Sequence, residues 1–271
     1  MSRVTTRRKM RRITTSGEIH RPDTLAVEEP LEIRANGRSL TVTMRTPGHD
    51  IDLVHGFLFG ETMITAAADI RAARYCAGTD DKGRNTYNVL DVTFSGPVTV
   101  PGRPFLTTGA CGLCGKTALD EVRMRTRFPL PSPTPLIDAD ILLALPNALR
   151  ERQSAFHTTG GLHAAGLFTP HGDPLVVRED IGRHNAVDKV IGWALRADRI
   201  PAGDTVLMVS GRASFELVQK AVLAGIPLLA AVSAPSSLAV DLAADSGLTL
   251  AGFVRGDTMN VYTHPERIES G

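Results

Sequence analysis

The chain has 271 residues, of which 42% are hydrophobic and 22% are charged, and its formal net charge at pH 7 is +1. This length can bury a full core, and the near-neutral charge argues against a nucleic-acid-binding surface. No stretch approaches the ~20 apolar residues that cross a bilayer, so we expect no membrane partner. Three cysteines are too few for a disulfide scaffold, which makes a reducing cytoplasm the expected location.

The N-terminus is strongly basic but short. Its basic residues are Arg3, Arg7, Arg8, Lys9, Arg11 and Arg12. The apolar run of a secretory signal is missing. Such a segment could attract nucleic acid or a partner protein, but an isolated run of this length favours solvated disorder. We therefore predict a disordered tail over residues 1–20.

Residues 21–130 are predicted to form a β-rich N-terminal part. Apolar residues alternate on both sides of Asn36-Gly37, a dipeptide that favours a type I′ hairpin turn. Helical spacing follows over 50–59, and further strands are predicted near 70–76 and 86–94. Four prolines within 128–135 indicate a stiff connector, at which we place the main organisational break.

Residues 131–271 are predicted to form an α/β part. After a helix over 138–152, which is expected to be interrupted or kinked at Pro146, and a hairpin within 164–177, strands and helices alternate. The predicted elements are helix 183–196, strand 205–209, helix 213–224, strand 227–232, helix 237–245 and strand 248–254. Nearly continuous apolar strands separated by single helices are typical of a parallel sheet that is buried on both faces. The predicted fold class is a layered α/β protein with a smaller β-rich N-terminal subdomain.

Two of the three cysteines, Cys111 and Cys114, lie among three glycines in 107–116. Glycine removes the Cβ that restricts the backbone, so the segment is predicted to be a mobile loop that presents sulfur. An apolar helical pattern follows at once. The positive end of that helix and the nearby Lys116 would favour the thiolate, which is the nucleophilic form of cysteine.

Three kinds of chemistry could use this cysteine pair. A structural zinc site needs four ligands, and although Cys76 and a histidine could complete a set, no second ligand pair is evident, so no metal is predicted. A zinc deaminase needs His-x-Glu and Pro-Cys-x-x-Cys, but Ala110 replaces the proline and no His-x-Glu precedes the pair. Thiol–disulfide exchange stays open, although the tryptophan and proline usual beside such a pair are missing.

Two loops after predicted parallel strands have a composition suited to anions. The segments 210–214 and 233–237 each open a helix, offer hydroxyl groups and follow a buried strand, and Arg212 adds a cation. The alternative is that these serines only cap helices. The polar run 178–185 includes His184 at a helix start, where the ring could act as an acid–base group, an anion ligand or a cap.

Several motifs, in one order along the chain, resemble the FdhD family over roughly Pro22 to Ile268. The matching segments are 107–116, 160–165, 178–189, Ser210-Gly211-Arg212, 252–256 and Asn260-Val261-Tyr262. The resemblance implies a fold similar to cytidine deaminase. It also implies an accessory sulfurtransferase of formate dehydrogenase, cytoplasmic and tending to form a homodimer.

In this family, sulfur is taken from a cysteine desulfurase as a persulfide. It is passed to a molybdenum cofactor in its bis(molybdopterin guanine dinucleotide) form, for which GDP is a suitable mimic. The resemblance implies that Cys111 bears the persulfide and that Cys114 assists or resolves it. The implied cofactor-binding stretch is Phe253, Val254, Arg255, Gly256, Asp257 and Thr258, to which we add Ser210, Gly211, Arg212 and His184. A cofactor-binding chaperone and a thiol–disulfide oxidoreductase stay open as alternatives.

Overall fold

The structure, a computed structural model, describes residues 4–76, 86–98, 105–106, 126–132 and 134–270, with only the backbone of 105–106. The segment 107–116, with Cys111 and Cys114, lies outside these residues. In the part of the chain so described, no helix has the length and the apolar character that a membrane span needs.

The predicted disorder of the basic tail is wrong. Strands β1 (Thr5–Thr14) and β2 (Gly17–Ala26) form an antiparallel hairpin in continuous register. Gly17 supplies a φ of 138° after the turn, and Arg11 lies 3.4 Å from Glu18 across the strands. The basic run was judged by its charge alone, whereas its backbone groups pair with a second strand of equal length.

The N-terminal part contains a five-stranded sheet. Its strands are β3 (Glu29–Ala35), β4 (Arg38–Arg45), β5 (Ile70–Tyr75), β6 (Val89–Phe94) and β7 (Phe105–Leu106), in the order β5-β6-β3-β4-β7. Asn36 and Gly37 have φ values of 51° and 79°, which confirms the predicted hairpin because a type I′ turn needs positive φ at both positions. Helix α1 (Asp50–Gly60) follows β4, also as predicted.

The C-terminal part is built on a six-stranded sheet in the order β10-β9-β11-β12-β13-β14. The strands are β9 (His163–Phe168), β10 (Pro174–Asp180), β11 (Val206–Val209), β12 (Leu228–Ala231), β13 (Thr249–Arg255) and β14 (Thr258–Thr263). The predicted parallel pairing holds for β11, β12 and β13. The antiparallel edge strand β14 was not predicted. Short strands β8 (Ile137–Asp138) and β15 (Ile268–Glu269) pair separately.

Helices cover both faces of this sheet, so the predicted layered α/β class is confirmed. The helices are α2 (Ala139–Glu151), α3 (Ser154–Thr159), α4 (Arg183–Arg196), α5 (Phe215–Leu223) and α6 (Ser237–Ser246). Helix α2, continuous through Pro146, packs with the strand residues Val206 and Met208 on one face. The alternate residues Leu207 and Val209 join α4 and α5 in the core on the other face.

One core cluster joins the two parts of the chain across the contact between α1 and α4. The helices approach so closely that a Cβ on Gly192 would overlap the carbonyl oxygen of Asp52 and lie 2.7 Å from the nitrogen of Gly56. On Gly56, a Cβ would overlap the carbonyl oxygen of Asp188. The two glycines therefore permit a backbone-to-backbone crossing that positions α4 against the N-terminal part.

Gly192→Ala should destabilise the protein. Alanine ordinarily stabilises a helix interior by about 1 kcal/mol relative to glycine, but here the methyl group meets backbone that cannot move aside. We expect a net loss of about 2 kcal/mol or more in the free energy of unfolding, measured by urea denaturation. Gly203→Ala is the matched control because a Cβ there meets nothing within 4 Å. Equal stability of the two variants would contradict the close crossing.

Candidate functional site

All six strands of the larger sheet have one end along the same line, which we call the site edge. Strands β10, β11, β12 and β13 end there, and the antiparallel strands β9 and β14 begin there. The site edge comprises residues 160–163, 180–185, 210–214, 233–236 and 253–255. Ligand sites in α/β sheets form beyond the carboxyl ends of parallel strands. The structure therefore brings the predicted segments around His184, Arg212 and Phe253 to the same side of the molecule.

The two serine-containing loops of the site edge run side by side. The nitrogen of Ala213 donates to the oxygen of Ala234 at 3.2 Å, and the nitrogen of Ser236 donates to the oxygen of Ala213 at 3.0 Å. The hydroxyl of Ser236 accepts from the nitrogen of Ala239 at 3.3 Å and so caps α6. Capping thus accounts for Ser236, as the structural alternative predicted.

Ser214 behaves differently, because it begins α5 without a capping hydrogen bond from its side chain. Its hydroxyl lies 3.2 Å from Nε2 of His184, and Oε2 of Glu216 lies 3.5 Å from the same nitrogen. The hydrogen bond with His184 lowers the pKa of Glu216 from 4.5 to about 2. Two partners on α5 therefore orient the imidazole of His184 at the site edge.

His163 faces the cationic side chains of the site edge. Burial lowers the pKa of His163, and the charges of Arg183 and Arg212 lower it further, against the opposing effect of Asp180. A Cβ on Gly211 would lie only 3.2 Å from Nδ1 of His163, so glycine is needed for this close approach. Guanidinium groups gathered around a neutral imidazole can bind the oxygens of a phosphate or another anion.

Asp180 is the buried centre of the junction between β10 and α4. Its carboxylate, fully buried, lies 2.7 Å from Nζ of Lys189. It also accepts hydrogen bonds from the nitrogen of Thr46 at 3.1 Å, from the nitrogen of Gly182 at 2.8 Å and from Nδ2 of Asn185 at 3.0 Å. These contacts fix the backbone immediately before His184.

Several polar side chains in 178–185 make contacts that stabilise the fold. The carboxylate of Glu179 accepts from the nitrogens of Ala155 and Phe156, at 3.0 and 2.7 Å, at the start of α3. Nη2 of Arg178 lies 2.9 Å from Oδ2 of Asp52 on α1. The partners of these side chains lie far away in sequence, so their structural contacts are not evident from the sequence of this run alone.

A cavity of about 470 Å³ opens at the site edge beside His163. Its lining includes Arg150, Gln153, Phe156 and Ser210. The guanidinium carbon of Arg150 lies 3.9 Å from the centroid of the Phe156 ring. This volume falls within the range of about 300–1,000 Å³ that is typical of small-molecule sites.

The predicted stretch 253–258 lies at the other end of the site edge. The nitrogen of Phe253 donates to the oxygen of Ser233 at 3.3 Å, and Phe253 has a left-handed φ of 52°. Arg255 is exposed, and its guanidinium carbon lies 5.8 Å from the centroid of the Phe253 ring. Val254 is buried in the core, whereas Gly256, Asp257 and Thr258 are exposed where β13 turns into β14. The structure thus offers Arg255, rather than Val254, for side-chain contact with a ligand.

Several residues of the site were not predicted from the sequence. Gln153 and Phe156 follow the end of α2, and no motif distinguished them. Glu216 lies in the first turn of α5, and in that region only the serines and Arg212 had a composition that indicated ligand binding. These residues line the site only because of what they face after folding. The sequence indicates this region only through the nearby Gly160-Gly161.

Of the three cysteines, the structure describes Cys76 alone. It follows β5 in the N-terminal part, forms no disulfide, and is partly buried. Its Sγ lies 4.0 Å from the oxygen of Arg74. The predicted sulfur-bearing residues Cys111 and Cys114 stay a prediction from the sequence.

Fold and site together define an α/β protein in which one sheet edge brings arginine, histidine and serine side chains together. Residues 26–269 match the model of the FdhD/NarQ family, and the chain belongs to that family. The sulfur carrier protein FdhD of Nocardia farcinica is 71% identical over 99% of this chain and 96% of its own length. That of Mycobacterium tuberculosis is 55% identical over 99% of this chain and 100% of its own.

A solved structure shows the same fold. The crystal structure from Desulfotalea psychrophila, described as that of a formate dehydrogenase accessory protein, superposes with a TM-score of 0.78 at 26% identity. The superposition covers 98% of this chain and 100% of the other. The resemblance noted in the sequence motifs is therefore confirmed at the level of family and fold.

Glu216→Gln should weaken the response of stability to acid. The folded-state pKa of Glu216 is lowered from 4.5 to about 2, so its ionised form stabilises the native state above pH 4.5, and this contribution is lost as the pH falls to about 2. Denaturant titrations from pH 5 to about 2 should show a shallower loss of stability for the variant than for the wild type. Glu151→Gln, on an exposed position of α2, is the control. Parallel curves for wild type and Glu216→Gln would contradict the His184 contact.

Proposed function

We propose that the protein is a sulfur carrier that matures formate dehydrogenase. On this proposal it accepts persulfide sulfur from a cysteine desulfurase and transfers it to a molybdenum cofactor in the bis(molybdopterin guanine dinucleotide) form. The main support is one combination of findings. A chain with a cysteine pair belongs to a family whose curated relatives are named sulfur carriers, and it has an anion-binding edge suited to a phosphate-bearing ligand.

The course of the described backbone also supports the proposal. Strand β7 runs parallel to β4, with Leu106 opposite Val42. One residue after Val42, Oγ1 of Thr43 donates to Oδ1 of Asn185 at 3.3 Å, beside His184. Leu106, which precedes the segment with Cys111 and Cys114 in the chain, thus pairs with a strand that contacts the site edge through Asn185.

On this proposal the thiol of Cys114 supplies the two electrons that release the sulfur as sulfide. The thiolate of Cys111 attacks the outer sulfur of the desulfurase persulfide, and the donor cysteine leaves as a thiolate. The thiolate of Cys114 then attacks the sulfur of Cys111, so a disulfide forms and the outer sulfur leaves as sulfide to the cofactor. A cellular dithiol reduces this disulfide before the next cycle.

The site edge would bind the nucleotide portion of the cofactor. Arg255 and the exposed backbone of 256–258 can contact phosphate and base, while Ser214, Arg212 and His184 supply further donors. Both serine loops lead into helix N-termini, which favour anions. Cytoplasmic location, a homodimeric state and contacts with the desulfurase and formate dehydrogenase belong to the same proposal.

Incubation with a cysteine desulfurase and cysteine should add one sulfur atom to Cys111, as read by mass spectrometry. Cys111→Ala should abolish the modification and the maturation of formate dehydrogenase. Cys114→Ala should still accept sulfur but should release little sulfide, because the resolving thiol is missing. Cys76→Ala is the matched control and should behave as the wild type.

The competing functions predict other outcomes for this experiment. A protein that stays unmodified and still supports maturation would act as a cofactor-binding chaperone. Loss of two hydrogens across Cys111 and Cys114 without any gain of sulfur and without release of sulfide would indicate an oxidoreductase, because the carrier forms this disulfide only when it releases sulfide. Full maturation by Cys111→Ala would refute the persulfide role.

GDP should bind the site edge, and Arg255→Ala should lower the affinity for GDP about tenfold, as measured by calorimetry. A factor of ten equals about 1.4 kcal/mol, at the lower end for one charge-assisted hydrogen bond. Arg71→Ala removes an exposed arginine from β5, on the other sheet, and should leave the affinity unchanged. GDP affinity that does not respond to Arg255→Ala would contradict this nucleotide site.

A further inference from the structure

The cavity beside His163 contains a buried amide without a hydrogen-bond partner. The side chain of Gln153 lines the cavity and is only 2% exposed. Among the described residues, its Nε2 has no acceptor. Native proteins rarely leave a buried amide nitrogen unpaired, because the lost hydrogen bonds to water are not replaced. A bound group with a carbonyl oxygen or a ring nitrogen would supply the missing acceptor.

The walls of the cavity suit a flat ring. The ring of Phe156 carries the guanidinium of Arg150 on its face at 3.9 Å, which makes a broad, planar and cationic surface. Gly160, with a left-handed φ of 68°, and Gly161 form another part of the lining without side chains. A planar heteroaromatic ring can stack on the first surface and approach the second closely.

The position of the cavity relates it to the nucleotide site. Ser210 lines the cavity and also begins the loop that ends at Ser214. From β9 to β13 there are three strand spacings, roughly 14 Å in total. Arg212, His184 and the paired serine loops occupy the interval. One extended ligand could therefore place a ring in the cavity, a diphosphate over the cations and a nucleoside near Phe253.

We propose that the cavity binds the second ring system of a dinucleotide, a pterin-like or purine-like ring with an acceptor edge that pairs with Gln153. This inference rests on the nucleotide site proposed above and assigns the other half of the same ligand. Gln153 provides recognition of the ring edge, and Phe156 with Arg150 provides the stacking surface. The diphosphate that joins the two halves contacts the cationic middle of the site edge.

Diguanosine diphosphate, in which a 5′–5′ diphosphate joins two guanosines, is the appropriate probe. Guanine and pterin share an edge with an amino group, a ring N–H and an adjacent carbonyl, so the second guanine represents the pterin. Calorimetry with the full-length wild type should show at least tenfold tighter binding of this probe than of GDP. Gln153→Met and Phe156→Leu should each remove most of that gain and leave GDP affinity unchanged. Gln219→Met on α5 is the matched control.

The two proposals fail in different ways. Equal affinity of the wild type for GDP and the dinucleotide would overturn the cavity assignment. The cavity assignment would also be overturned if Gln153→Met weakened the binding of GDP as much as that of the dinucleotide. The cavity would then bind the guanine of GDP itself. A GDP affinity independent of Arg255 would instead contradict the nucleotide site near Phe253. Thermal unfolding of each variant verifies that it folds.

Discussion

The ion pair between Asp180 and Lys189 determines where the candidate site lies. Both side chains are almost completely buried, and Lys189 also donates to the carbonyl oxygens of Thr46 and Glu179 at 2.9 and 3.2 Å. This network joins the end of β4, the end of β10 and the first turns of α4. Leaving one charge of such a pair buried without the other costs about 3–5 kcal/mol, so its geometry is strongly enforced. His184 lies in the chain directly after this junction, so the junction fixes its backbone position.

The same network links the two parts of the chain. Asp180 binds the nitrogen of Thr46 in the N-terminal part, while the crossing at Gly56 and Gly192 brings the helices of both parts into backbone contact. The proline connector is thus not the only connection between them. Because β4 ends at this network, the N-terminal sheet, which also contains β7, contacts the C-terminal sheet at this point.

Elements with a strong local signal were predicted well. The Asn36-Gly37 turn, the helix over 183–196 and the three parallel strands follow from turn chemistry and hydrophobic periodicity, both of which act within a few residues. The hairpin of β1 and β2 was missed because a charged, exposed strand lacks that periodicity. Strand β14 was missed for a similar reason, since it is mostly exposed and completes the edge of the sheet.

Some positions of the candidate site could be predicted from the sequence and others could not. His184, Arg212 and Arg255 could be predicted because they lie where strands end, and topology brings such positions together. Gln153 and Phe156 could not, because their importance arises from an unpaired amide and a stacked guanidinium that only tertiary packing creates. The structural contacts of 178–185 could not be predicted either, because the partners lie on α1, α3 and β4.

On the proposed function, the site edge recognises the ligand and the cysteines carry the sulfur, and these two tasks have different physical requirements. A phosphate-bearing ligand needs donors fixed in advance, because each side chain ordered on binding costs free energy. The donors at the site edge are held in place by contacts within the protein, which involve Asp180, Glu216 and the paired serine loops. The thiolate, by contrast, has to meet a donor protein and an acceptor in turn. Within the described residues the edge contains no cysteine, and on the proposed function the sulfur chemistry belongs to Cys111 and Cys114.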